Sequence, residues 1–208
     1  MSVQSYEPVS DYWKNWEKPE ETVRATCEFD FLGYSESTGR IELTQKAGDL
    51  VTMLGDFTGI SPGLHGLKIQ EFGDLEQGCA STGDVFNPFD APHGDSHMDV
   101  TMRRVGDIEQ LIGRWTVDAE YRVRDALVEL SGPNSVIGRS MVLYERQDDW
   151  NLIERREVPG REGRYRRGMG KPIACCVVGL AEGTTPEKKA VPKELQLPFK
   201  PSYSPAWW

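Results

Sequence analysis

From Thr22 onward the chain alternates apolar and polar residues in short runs broken by Gly, Ser and Asp. Val23, Thr26, Phe29 and Phe31 mark a first run over Thr22–Leu32, and Ile41 and Leu43 alternate with polar neighbours over Arg40–Gln45. Asp49–Phe57 follows with Val51, Met53 and Gly55, and Leu64–Phe72 is the next run. Later runs fall at Ile108–Val117, Tyr121–Leu130, Ile137–Glu145 and Ile173–Ala181. A period of two over short runs punctuated by turn residues predicts strands of an antiparallel sandwich or barrel. In the runs from Thr22 to Phe57 no apolar period of 3.6 is sustained over three turns, so no long helix is expected there.

Two stretches interrupt the strands. Gly73 to Arg104 is rich in Gly, Asp and Pro, and Arg146 to Pro172 is rich in Arg. Loops longer than about 15 residues in a compact domain usually carry function. The ends differ again. Residues 1–21 hold Trp13 and Trp16 among acidic residues and prolines, a spacing that puts both rings on one face of a short helix. Residues 182–208 are Pro-rich and finish on Trp207 and Trp208, which favours extended chain. The expected organisation is an aromatic extension (1–21), one β-domain (22–181) and a Pro-rich tail (182–208).

Composition narrows the function. At 208 residues and 38% hydrophobic content the chain can bury a real core. A net charge of −9 argues against a general nucleic-acid or anionic-membrane binder. No run reaches the roughly 20 apolar residues of a transmembrane helix. The first residues show neither a basic n-region nor an apolar core of a signal peptide, and four cysteines do not make a disulfide scaffold, so a cytoplasmic location is expected.

One stretch carries a motif. Gly63 to Asp95 reads GLHGLKIQEFGDLEQGCASTGDVFNPFDAPHGD. It resembles the centre of the copper/zinc superoxide dismutases, with Gly63, His65, Gly66, Glu71, Phe72, Gly73, Asp74, Cys79, Asn87, Pro88, His93 and Gly94 at the family's scaffold positions. The similarity runs from about Thr22 to Ala181, through Val105-Gly106-Asp107, Leu130-Ser131-Gly132, Ile137-Gly138-Arg139 and Val177-Val178-Gly179. It implies an all-β, eight-stranded Greek-key sandwich or barrel.

The resemblance also implies copper and zinc, and the sequence departs from it there. The positions of the four copper imidazoles hold Lys68, Gln70, Val85 and Tyr144. Those of the zinc ligands hold Val85, Arg104, His93 and Asp107, so His93 and Asp107 are vestiges. The catalytic arginine of the family falls on Pro172, or on Lys171 with a one-residue slip. Imidazole suits copper, whereas ammonium and alkyl groups offer no lone pair. The expectation is therefore no metal cofactor and no dismutase chemistry, with Lys68 and Arg104 supplying positive charge to Asp107 and Asp148. His97 is expected to be a solvated loop residue, and His65 a structural histidine that pins backbone.

The resemblance further implies a disulfide between Cys79 and Cys175, with Cys27 a buried thiol and Cys176 a neighbour of the bridge. It places a dimer patch at Phe72, Gly73, Ile137, Gly138, Val177 and Leu180, near which Glu28 and Arg40 introduce charge. Arg155, Arg156, Arg161, Arg164, Arg166 and Arg167 form a positive island in an acidic chain, suited to an acidic protein surface. The expected function is a catalytically inactive member that binds a protein partner, through that island, through Trp13, Trp16, Trp207 and Trp208, or as a heterodimer with a true superoxide dismutase. Alternatives are a docking domain like that of the copper chaperone, whose Met-x-Cys-x-x-Cys and Cys-x-Cys motifs are missing here, and residual dismutase activity.

Overall fold

The computed structural model describes residues 22–33, 36–114, 118–149 and 168–182. Trp13, Trp16, Trp207, Trp208 and the six arginines from Arg155 to Arg167 lie outside them, as do the expected extension 1–21 and the expected tail beyond Glu182. The described residues are all-β, with no helix.

The strands are β1 (Val23–Glu28), β2 (Asp30–Phe31), β3 (Thr38–Gln45), β4 (Val51–Thr58), β5 (Gly63–His65) and β6 (Leu67–Gln70), then β7 (Glu76–Cys79), β8 (Leu111–Gly113), β9 (Ala119–Asp125), β10 (Ser140–Tyr144), β11 (Pro172–Val177) and β12 (Gly179–Leu180). One sheet has the order β12-β1-β3-β4-β9, a second β2-β11-β10-β6, and β5 pairs with β8. All of these pairings are antiparallel.

Side-chain alternation builds the core. In β3, Ile41 and Leu43 point inward while Arg40 and Glu42 face water, and β4 buries Val51, Met53 and Phe57 in the same way. Each fully buried side chain of this size contributes about 1.5–3 kcal/mol of hydrophobic stabilisation. Phe57 needs its neighbour small. It lies opposite Gly39 in the ladder, and a Cβ at position 39 would meet its ring at 2.3 Å. The space so freed lets Phe57 meet Phe29 at a centroid distance of 5.2 Å.

Three expected strands are corrected. Thr22–Leu32 is broken at Phe29, where the chain leaves one sheet as β1 and enters the other as β2. The last strand makes the reverse move at Val178, between β11 and β12. Leu64–Phe72 breaks at Gly66, whose N–H and C=O pair with Arg146 O and Tyr144 N instead of a continuous ladder. These sheet changes produce more strand segments than the eight expected.

The disulfides match one expectation and correct another. Cys79 bonds Cys175, clipping β7 of the first long loop to β11. Cys27 is not a free thiol: it bonds Cys176, joining β1 of one sheet to β11 of the other, at a Cα separation of 5.4 Å. Adjacent residues of a strand point to opposite faces. Cys176 therefore reaches the core and Cys175 the outer face, and β11 is bonded on both sides.

Candidate functional site

Where β6 and β10 run side by side, both faces are covered and the alternation of exposure disappears. Leu67 and Ile69 fill the core, so Lys68 and Gln70 point to the other face. There the first long loop closes over them. Ile69 N–H donates to Gly106 O at 3.1 Å, Phe86 N–H to Ile69 O at 2.9 Å and Gly106 N–H to Phe86 O at 2.9 Å. Gly106 is required at this crossing, since a Cβ would meet Ile69 O at 2.2 Å. These bonds set Asp107 beside Lys68 and Val85 beside Gln70.

The result is a buried ion-pair cluster. Lys68 Nζ lies 2.9 Å from Asp107 Oδ1 and 2.5 Å from Asp148 Oδ2, and its side chain is 1% exposed. Arg104 grips Asp107 with two bonds, Nε to Oδ2 and Nη2 to Oδ1, each 2.9 Å. Backbone N–H groups of Arg104 and Gly94 also donate to Oδ2, at 3.1 and 3.3 Å. His93 Nε2 lies 2.8 Å from Asp148 Oδ2. The expected pairing of Lys68 and Arg104 with Asp107 and Asp148 is thus what the structure has. Burial opposes ionisation of Asp107, but Arg104 and Lys68 overcome it and hold the carboxyl below its ordinary value.

Around the cluster, Gln70 Nε2 donates to Tyr144 Oη at 2.8 Å. Burial pushes the Tyr144 phenol up, with Asp148 adding to the effect while the Gln70 bond and Arg104 work against it. Gln110 fixes the Asp148 backbone, accepting from its N–H at 2.7 Å and donating to its carbonyl at 3.4 Å. Arg103 extends the network, with Nη2 on both oxygens of Asp125 at 3.0 and 2.9 Å and Nη1 on Asp107 O at 3.2 Å. Sequence reasoning missed Gln110 and Arg103. His97 stands apart, 79% exposed, against Asp95 and Glu109. His65 is buried with its ring nitrogens 3.0 Å from Tyr144 O and 2.9 Å from Ser61 O, pinning backbone as expected.

These residues do not fit copper. Lys68 Nζ is committed to two carboxylates, Val85 has no donor atom, and the Tyr144 phenol is held protonated. Zinc fares no better. The ligand atoms of His93, Asp107 and Asp148 lie within 4.8 Å of one another, but Asp107 Oδ1 already takes two bonds and Oδ2 three. Nothing is left on Asp107 for an ion while Lys68 and Arg104 stay in place.

A second feature is an apolar surface at the junction of the sheets. Phe72 and Leu180 are 57% and 60% exposed, and Val177 is at the margin of exposure. Gly73 brings Gly138 and Val177 together, since a Cβ there would meet Gly138 O at 2.1 Å and Val177 Cγ1 at 3.2 Å. Glu28 and Arg40 do bring charge to β1 and β3, but they pair with one another at 2.9 Å.

An antiparallel β-sandwich with its first long loop folded over one sheet and a disulfide from that loop to the last strand defines the class. Residues 37–178 match the family model described as copper/zinc superoxide dismutase (SODC). The chain is 40% identical over 139 residues to the extracellular superoxide dismutase [Cu-Zn] of Brugia pahangi, covering 66% of this chain and 67% of that one. It is also 40% identical over 135 residues to the superoxide dismutase [Cu-Zn] of Onchocerca volvulus, covering 65% of this chain and 83% of that one. The chain belongs to the copper/zinc superoxide dismutase family.

Two expectations are corrected by these findings. The chain was expected not to be an enzyme, but the relatives it matches at 40% identity are named as dismutases, so it stands in an enzyme family. A cytoplasmic location was expected, but all four cysteines are paired and one relative is named extracellular. Disulfides of this kind belong to oxidising compartments.

Proposed function

We propose that this chain is a partner-binding member of its family, whose apolar face at Phe72, Val177 and Leu180 takes up a metal-bearing superoxide dismutase subunit. The exposure of Phe72 and Leu180 beside the close-packed Gly73–Gly138 turn carries this reading. Contiguous exposed apolar residues mark interaction surfaces. Glu28 and Arg40 at the border of this face pair with one another, so they set no net charge against an incoming subunit. Arg155, Arg156, Arg161, Arg164, Arg166 and Arg167 supply positive charge for acidic ground on that partner, and the tryptophans of both ends add contact area. The chain itself carries no copper or zinc cofactor in this role. Its setting is oxidising and extracellular, in keeping with the pairing of its cysteines.

Sedimentation velocity of the full chain mixed with a copper/zinc superoxide dismutase tests this. A boundary of heterodimer mass is expected, absent for the Phe72→Asp/Leu180→Asp variant. A mixture that sediments as the two separate proteins overturns the proposal.

A further inference from the structure

We propose that Lys68 is the resident cation of the buried centre, and that its ammonium group keeps divalent ions off His93, Asp107 and Asp148. This holds independently of the partner-binding reading. The three residues have the makings of a zinc site: one imidazole and two carboxylates, their ligand atoms within 4.8 Å of one another. Three protein ligands and an open fourth position are enough for zinc.

What stands in the way is the lysine. Nζ lies 2.9 Å from one carboxylate and 2.5 Å from the other, so an ion bonded to both would need the space Nζ holds. Charge leads to the same result. Two carboxylates are balanced by Lys68 and Arg104, and a dication added to this buried group would leave positive charge uncompensated. The lysine also does the mechanical work of an ion. It stands on β6 and joins Asp107, at the end of the first long loop, to Asp148, at the start of the second. His93 adds a third tie from within the first loop. The loops are thus anchored to the sheet by side chains that are always present, whatever the metal supply.

Neutralising positions 68 and 104 together should therefore expose a metal site. Lys68→Met/Arg104→Gln keeps most of the volume of both side chains and removes the two cations that an ion at Asp107 and Asp148 would have to displace. The probe is Co2+, read by its visible ligand-field absorption, with Zn2+ as competitor. Wild-type full chain is expected to take up no stoichiometric Co2+ and to melt at the same temperature in Zn2+ as in EDTA. Lys68→Met/Arg104→Gln is expected to bind one Co2+ per chain, displaced by Zn2+ and lost when His93→Gln is added, with Zn2+ raising its melting temperature by about 5–10 °C, whereas Arg104→Gln alone, with Nζ still between the carboxylates, binds none. Stoichiometric Co2+ on the wild type, or a wild-type melting point raised by Zn2+, overturns the proposal. So does a folded Lys68→Met/Arg104→Gln that binds no Co2+, or an Arg104→Gln that binds it. Should the double variant not fold, the wild-type comparison in Zn2+ and EDTA decides alone.

Discussion

Lys68 Nζ lies 2.5 Å from Asp148 Oδ2, with neither side chain reaching water to any extent. The two residues come from β6 and from the loop after β10, and Gln110 holds the backbone of Asp148 in place for the contact. Removing one partner of a buried pair strands the other charge and typically costs about 3–5 kcal/mol. Asp148→Asn should lower the free energy of unfolding in urea by an amount in that range. A loss comparable to that of an exposed pair such as Arg122–Glu120, about 0–1 kcal/mol, would show that the cluster does not hold the fold.

The acid limb of stability should report Asp107. Its folded-state carboxyl sits below its ordinary value of 3.8, so its contribution is fully present above that value. As pH falls below 3.8 toward the folded value, the unfolded chain takes up the proton first and the contribution is lost. Urea midpoints measured from neutral pH down into this acid range should fall more steeply for wild type than for Asp107→Asn. Equal slopes would remove Asp107 from the explanation.

Both disulfides should be present in protein made in an oxidising compartment. Alkylation under denaturing, non-reducing conditions should label none of the four cysteines, and peptide mapping should recover Cys27–Cys176 and Cys79–Cys175. The loop closed by Cys27–Cys176 spans 149 residues, so Cys27→Ala/Cys176→Ala should lose roughly 2–5 kcal/mol. Labelling of Cys27 in the native oxidised protein would contradict the pairing.

The polar centre was legible in sequence where strand periodicity or the family pattern reached it. Lys68 and Gln70 are two apart on one strand, so a shared face followed directly. Arg104 and Asp107 sit within one turn of loop. Gln110 and Arg103 were not legible, because their partners Asp148 and Asp125 lie 38 and 22 residues away and no local spacing announces them. The sheet changes at Phe29 and Val178 were hidden for another reason. Both residues are buried, so the inward-facing pattern continues straight through each switch. The Cys27–Cys176 bridge did leave a signal. Adjacent Cys175 and Cys176 must face opposite sides of a strand, so one bridge on the outer face left Cys176 pointing at the core, where Cys27 also points.

The most direct measurement is a crystal of the full chain soaked in Zn2+, with anomalous differences collected at the zinc edge. The predicted result is no peak among His93, Asp107 and Asp148, with Lys68 Nζ in density between the two carboxylates. A peak about 2.0–2.2 Å from His93 Nε2 and a carboxylate oxygen of Asp107, with Lys68 swung aside, would contradict it.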